Sequence, residues 1–149
     1  MRALRPAVVL GLIALDRATK LWAMNSLRSD GSIPVFPGFE LAYVENTGAA
    51  FNLGYGANTL FVFVSLGLIV YLIRLMSRWP KTDPWLQYGG ALVLAGALGN
   101  LYDRVAYRHV VDFLYVHHWP VFNVADSCIT VGACLLAWGL KDEKTSAPA

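Results

Sequence analysis

Four apolar stretches, at roughly residues 6–27, 58–77, 85–104 and 119–140, constrain this chain more than any other feature. About 20 helical residues at 1.5 Å rise cross a hydrocarbon layer ~30 Å thick, and a spanning segment in lipid has to satisfy its own backbone. Each stretch therefore predicts an α-helix. Of 149 residues 56% are hydrophobic and 15% charged, whereas a soluble domain carries about 25% charged residues. The expected fold class is membrane all-α, a four-transmembrane-helix bundle in one domain over residues 1–149. A formal charge of +2 gives no footing for nucleic acid. The first stretch follows Arg2 and Arg5 as a secretory signal would, but Asp16-Arg17 comes next without a small-x-small cleavage site, so it is expected to stay as a span.

Basic residues orient the bundle. Arg2, Arg5, Arg74, Arg78, Lys81, Lys141 and Lys144 are seven of the twelve Lys and Arg, and they share one side if both termini and the 78–84 loop are cytoplasmic. The opposite side then receives the loops 28–57 and 105–118. The first of these is too long for a bare connector. Ser32 to Phe36 and Phe39 to Val44 are β-rich around Pro37-Gly38, which predicts two short strands forming a small extracytoplasmic β platform. Asn46-Thr-Gly-Ala-Ala-Phe51 follows, with small residues that permit close backbone approach. Only the tail, Thr145 to Ala149, reads as disordered.

Polar residues within the spans are costly and so informative. Asp16 and Lys20 lie one turn apart on helix one and can neutralise one another. Asn100, Asp103 and Arg104 share a stripe of helix three, where Arg104 could neutralise Asp103. Asn123 and Asp126 share a face of helix four, and with a helix start near Trp119 the acid lies about 10 Å below that start, within reach of outside water. Asp112, fourteen positions earlier, belongs to a loop short enough to fold back over the same mouth.

Two carboxyls within hydrogen-bond reach share one proton, so one can deprotonate a water while the other polarises a carbonyl. Spacing alone leaves open that both acids satisfy helix-end donors or pair with Arg104 or Arg108. Other chemistries have less footing. His109, His117 and His118 lack a His-Glu-x-x-His helix, and no metal or other cofactor is expected. Cys128 and Cys134 lie about 9 Å apart along one helix, too far for a disulfide within it. Ser127 has no evident base. A small transporter lined by Asp16, Asp103 and Asp126 is the rival class, but helices two and four are almost purely apolar toward the cytoplasmic side.

Five ordered blocks, Asp16-Arg-Ala-Thr-Lys20, Glu45-Asn-Thr-Gly-Ala-Ala-Phe51, Gly96-Ala-Leu-Gly-Asn-Leu-Tyr-Asp-Arg104, Val110-Val-Asp-Phe113 and Phe122-Asn-Val-Ala-Asp126, resemble bacterial lipoprotein signal peptidase, or signal peptidase II. The resemblance covers nearly the whole chain. It implies an intramembrane aspartyl endopeptidase of the bacterial cytoplasmic (inner) membrane, with its site near the extracytoplasmic face. Such an enzyme removes signal peptides from prolipoproteins just before the diacylglyceryl-modified cysteine. Carried onto this chain, the resemblance implies Asp112 and Asp126 as the catalytic pair, braced by Asp16, Lys20, Asn46, Asn100, Asp103, Arg104 and Asn123. Prolipoproteins and membrane lipids are the expected partners, and a monomer suffices.

Overall fold

The computed structural model describes residues 4–29, 31–48 and 57–146. Arg2, the Ala49 to Phe51 end of the Asn-Thr-Gly block and residues 147–149 of the tail lie outside them. In chain order the elements are α1 (Leu4–Ser26), β1 (Ile33–Phe36), β2 (Phe39–Asn46), α2 (Ala57–Arg78), α3 (Pro84–Ala106), β3 (Val110–Val116) and α4 (Val124–Ser146).

Polarity is turned inside out. Leu10, Trp22, Phe63, Leu68, Tyr71 and Trp138 are exposed, whereas Asp16, Lys20, Asn100, Asp103, Asp112 and Asn123 are buried. Water would penalise that exterior and lipid would not. Two helical segments, Asn58–Arg78 and Val124–Lys141, are long and apolar enough to cross a membrane. The other two helices, α1 and α3, are each 23 residues long but hold most of the buried polar groups.

Helix α3 starts on Asp83, whose side chain accepts from Leu86 N at 3.1 Å, with Pro84 in the first turn where no N–H is needed. It stops at Tyr107, and Arg108 then takes a left-handed φ of 68° that turns the chain into β3. Helices α3 and α4 meet backbone to backbone. A Cβ on Gly96 would lie 2.2 Å from Ala125 O, so glycine sets their separation.

The platform has a third strand. β1 and β2 form the expected hairpin around Pro37-Gly38, whose glycine φ of 88° suits a type II turn. β3 pairs antiparallel with β2, Val44 facing Asp112 and Asn46 facing Val110, to give the order β1-β2-β3. Asp112 therefore sits on a strand rather than in the loop expected over 105–118. Val-Val-Asp-Phe-Leu-Tyr-Val is rich in β-branched and aromatic residues, and β2 supplies a partner edge. Phe113 anchors the sheet against Ala23 and Leu27 of α1.

The fourth apolar stretch, expected over 119–140, becomes helical only at Val124. Phe122 instead bridges Leu114, its N–H donating to Leu114 O at 3.0 Å, and this draws residues 119–123 alongside β3.

Candidate active site

Asn123 is where the site is assembled. It caps α4: its Oδ1 accepts from Asp126 N at 2.9 Å, while Asp126 Oδ2 accepts from Asn123 N at 3.3 Å. This is a reciprocal capping box, with Asp in the place usual for Glu. Asp126 thus lies in the first turn of the helix, at its positive end, rather than about 10 Å inside it. The same Asn123 side chain, fully buried, donates through Nδ2 to Asp112 Oδ1 at 2.6 Å. One amide therefore ties the strand acid to the turn that carries the helix acid.

Two more amides complete the cradle. Asn46, at the end of β2, donates from Nδ2 to Asp112 Oδ2 at 2.9 Å, and its Oδ1 accepts from Gly48 N at 2.9 Å. Asn100 of α3 donates from Nδ2 to Asp126 Oδ1 at 2.7 Å. Each carboxyl group accepts two hydrogen bonds and has no cation in direct contact among the described residues. Neither Arg104 nor Arg108 pairs with them.

Asp112 is only 1% exposed and lies outside the apolar helices. Burial pushes its carboxyl from an ordinary 3.8 up to about 6, opposed by the Asn46 bond, reinforced by the negative charge of Asp126 and opposed again by the Asn123 bond.

Beside this cradle lies an ion cluster. Lys20 Nζ reaches Asp16 Oδ2, Asp103 Oδ2 and Asn100 Oδ1, each at 2.9 Å, so all three ammonium donors are used. Arg17 pairs with Asp103 Oδ1 and donates to Tyr107 Oη at 3.0 Å, with its guanidinium 4.4 Å from the Tyr102 ring centroid. Each acid of this cluster also grips backbone. Asp16 Oδ1 accepts from Ala125 N at 2.9 Å, and Asp103 Oδ2 accepts from Val111 N at 3.2 Å. Those are the amides one residue before Asp126 and Asp112. A Cβ on Gly99 would stand 2.6 Å from Asp16 Oδ2, so that glycine lets Asp16 reach α4.

All nine residues singled out from the sequence meet in this one region, with two adjustments. Asp16 and Lys20 pair as expected. Asp103 pairs with Arg17 and Lys20 instead of Arg104, because its neighbour in sequence points elsewhere: the Arg104 guanidinium lies 5.2 Å from the Phe61 ring centroid. Arg17 was missed, although a second cation three residues before Lys20 inside an apolar run was a usable signal. Of the other candidates, Ser127 Oγ donates to Asn123 O at 3.0 Å, Cys128 and Cys134 are free thiols, and the length of β3 separates His109 from His117 and His118.

This fold is that of a membrane enzyme. A structure of a bacterial membrane enzyme obtained by the in meso method at 1.9 Å resolution matches with a TM-score of 0.86 and 28% identity, over 91% of each chain. A second, at 2.3 Å resolution, matches with a TM-score of 0.86 and 27% identity over 97% of this chain and 92% of that one. Residues 8–141 match the family model for signal peptidase (SPase) II, and the chain belongs to that family. It is 39% identical over 136 residues to the lipoprotein signal peptidase of Clostridium novyi (strain NT), covering 87% of this chain and 91% of that one. With the lipoprotein signal peptidase of Pseudomonas putida (strain KT2440) the identity is 43% over 147 residues, covering 91% and 85%. The family consists of proteases that cleave signal peptides from prolipoproteins.

Proposed function

We propose that Asp112 and Asp126 are the acid and base with which this peptidase cuts a prolipoprotein just before its diacylglyceryl-modified cysteine. The observation that carries this reading is Asn123, a single buried side chain that donates to Asp112 and caps the turn holding Asp126. Of the two, Asp112 is assigned the acid's part, in line with the raised affinity for a proton that burial gives it. Asp126, held by Asn100 and the Asn123 N–H, is the base.

The reaction then needs no group beyond the pair and a water. Asp126 takes a proton from the water as its oxygen bonds to the scissile carbonyl carbon, and Asp112 gives its proton to the carbonyl oxygen. When the tetrahedral intermediate collapses, Asp126 passes its proton to the leaving nitrogen as the C–N bond breaks, and Asp112 recovers one from the hydroxyl. A signal peptide has to leave its helical form to present that carbonyl, and backbone freed in this way needs partners that lipid cannot supply. The nearby amides of Asn46 and Asn100 and the Arg104 guanidinium are the groups suited to that task.

In this reading the four helices span the bacterial inner membrane with both termini in the cytoplasm. The acids lie at the ends of α3 and α4 remote from Arg74, Arg78, Lys81 and Lys141, which supports a site at the extracytoplasmic face. Lipid covers the apolar exterior, and a monomer contains every group the chemistry uses. Purified protein incubated with a diacylglyceryl-modified prolipoprotein should release the signal peptide, and Asp126→Asn should not. Turnover of the variant at the parent rate would remove Asp126 from the pair.

A further inference from the structure

We propose that Phe61 is a positioning residue which holds Arg104 as the counter-ion of the Asp112–Asp126 pair. The inference rests on the reading of that pair given above. A count of charges leads to it. In the neighbouring cluster Asp16 and Asp103 are matched by Lys20 and Arg17, two against two, all in direct ion pairs. Arg104 is the cation left over, and it forms no salt bridge among the described residues. Two carboxyls that share one proton carry one negative charge, and the charges acting on Arg104 are those of Asp126, Asp112 and Asp103. Asp103 is already engaged twice.

What keeps the guanidinium near the pair yet off it is α2. Asn58 donates from Nδ2 to Arg104 O at 3.1 Å, which satisfies a carbonyl in the last turn of α3. Phe61, three residues on and so on the same face, sets its ring 5.2 Å from the Arg104 Cζ, within cation–π range. The same ring abuts Gly48, where a Cβ would fall 2.3 Å from Phe61 Cε2 and the φ of 76° already disfavours other residues. Gly48 N donates to Asn46, and Asn46 donates to Asp112. One ring therefore touches both the turn that orients Asp112 and the cation that offsets its charge.

A direct Arg–carboxylate bond would fix one acid in its ionised form and block its oxygens. Held on an aromatic face, the cation lowers the cost of the single negative charge and leaves the oxygens open to water and substrate. Of the other charged groups, Lys20 of α1 acts on Asp112, while Asp16 and Arg17 of α1 and Asp103 of α3 are paired within the neighbouring cluster. Glu45 of β2 engages Arg28 at 3.2 Å and faces His109.

The test compares Phe61→Leu, which keeps apolar bulk without a ring, with Phe61→Tyr, which keeps the ring. Both are assayed in detergent on a diacylglyceryl-modified prolipoprotein across pH, alongside thermal unfolding. For the Leu variant kcat should fall about tenfold with KM within about twofold. Both limbs of its pH profile should move upward, since a receding cation favours the protonated acids. The Tyr variant should match the parent. Gly48→Ala, whose methyl displaces the ring, should give the same upward movement. A Leu variant with the parent's kcat and pH limbs overturns the inference, as does an equal loss in Leu and Tyr with unmoved limbs. Should Asp126→Asn prove fully active, the acid pair itself fails; with Asp126→Asn dead and Phe61→Leu normal, only the role of Phe61 does.

Discussion

Two pairs of aspartates lie side by side in this bundle and differ in what touches them. Asp16 and Asp103 meet Lys20 and Arg17 directly, and each accepts a further bond from a backbone N–H. Asp112 and Asp126 meet only neutral donors: Asn46, Asn100, Asn123 and one backbone N–H. A cation in contact ties a carboxylate into a fixed ion pair, whereas an amide orients the group and leaves its proton free to move. The first pair is thus suited to hold structure and the second to exchange protons. The first also serves the second, because the amides it grips belong to Ala125 and Val111, the residues just before the reactive acids.

Exchanging Asp for Asn breaks that comparison most sharply. At position 112 or 126 cleavage should drop by about a thousandfold or more, the scale of lost general acid–base catalysis, with unfolding in detergent nearly unchanged. A large stability loss at either position, with activity retained, would merge the two classes. Asp103→Ala is expected to behave oppositely. It strands Arg17, whose ion pair among the described residues is with Asp103, and leaves Lys20 with Asp16 alone; removing one partner of a buried ion pair costs about 3–5 kcal/mol. Asp16→Ala should cost less, since Lys20 keeps Asp103, and unfolding midpoints of the two variants measure the difference.

Much of this contrast was legible in the sequence, for a physical reason. A charged residue in an apolar run is expensive, so Asp16, Lys20, Asp103 and Asp126 announce themselves, and the i, i+4 spacing pairs the first two without any tertiary knowledge. The five ordered blocks then mark Asp112 and the asparagines. What could not be read was set by contacts between distant segments. Asp103 chooses Arg17, 86 positions away, over its neighbour Arg104. The strand at Val110–Val116 exists because β2 offers an edge. The late start of α4 accompanies the pairing of Phe122 with Leu114, a distant contact, although the Asn123–Asp126 spacing of a capping box was a usable local signal.

Linkage sharpens the comparison at a smaller scale. Burial raises Asp112 from 3.8 to about 6, so the folded protein binds this proton more tightly than the unfolded chain. The stability it contributes is complete below about pH 3.8 and lost as pH rises through about 6. Parent minus Asp112→Asn stability should therefore fall by roughly 2–3 kcal/mol between pH 4 and pH 7. Chemical denaturation of the two proteins at both pH values measures this, and a flat difference would mean that burial does not raise the proton affinity of Asp112.

The smallest expected effect separates the two tasks of Asn123. Serine at this position keeps an oxygen that can accept the Asp126 N–H, and it is as good a helix cap as asparagine, so Asn123→Ser should be more stable than Asn123→Ala by about 1 kcal/mol. It lacks the amide that donates to Asp112 at 2.6 Å. A hydrogen bond to a carboxyl group is worth at least ~1.5 kcal/mol, which predicts roughly tenfold slower cleavage. Asn123→Ala loses the cap as well and should unfold more easily than the serine variant while cleaving no faster. If Ser and Ala variants prove equally unstable, or if Ser cleaves at the parent rate, then the cap and the acid cradle are not joined through this one side chain. The acids would then owe their approach to the backbone grips of Asp16 and Asp103 alone.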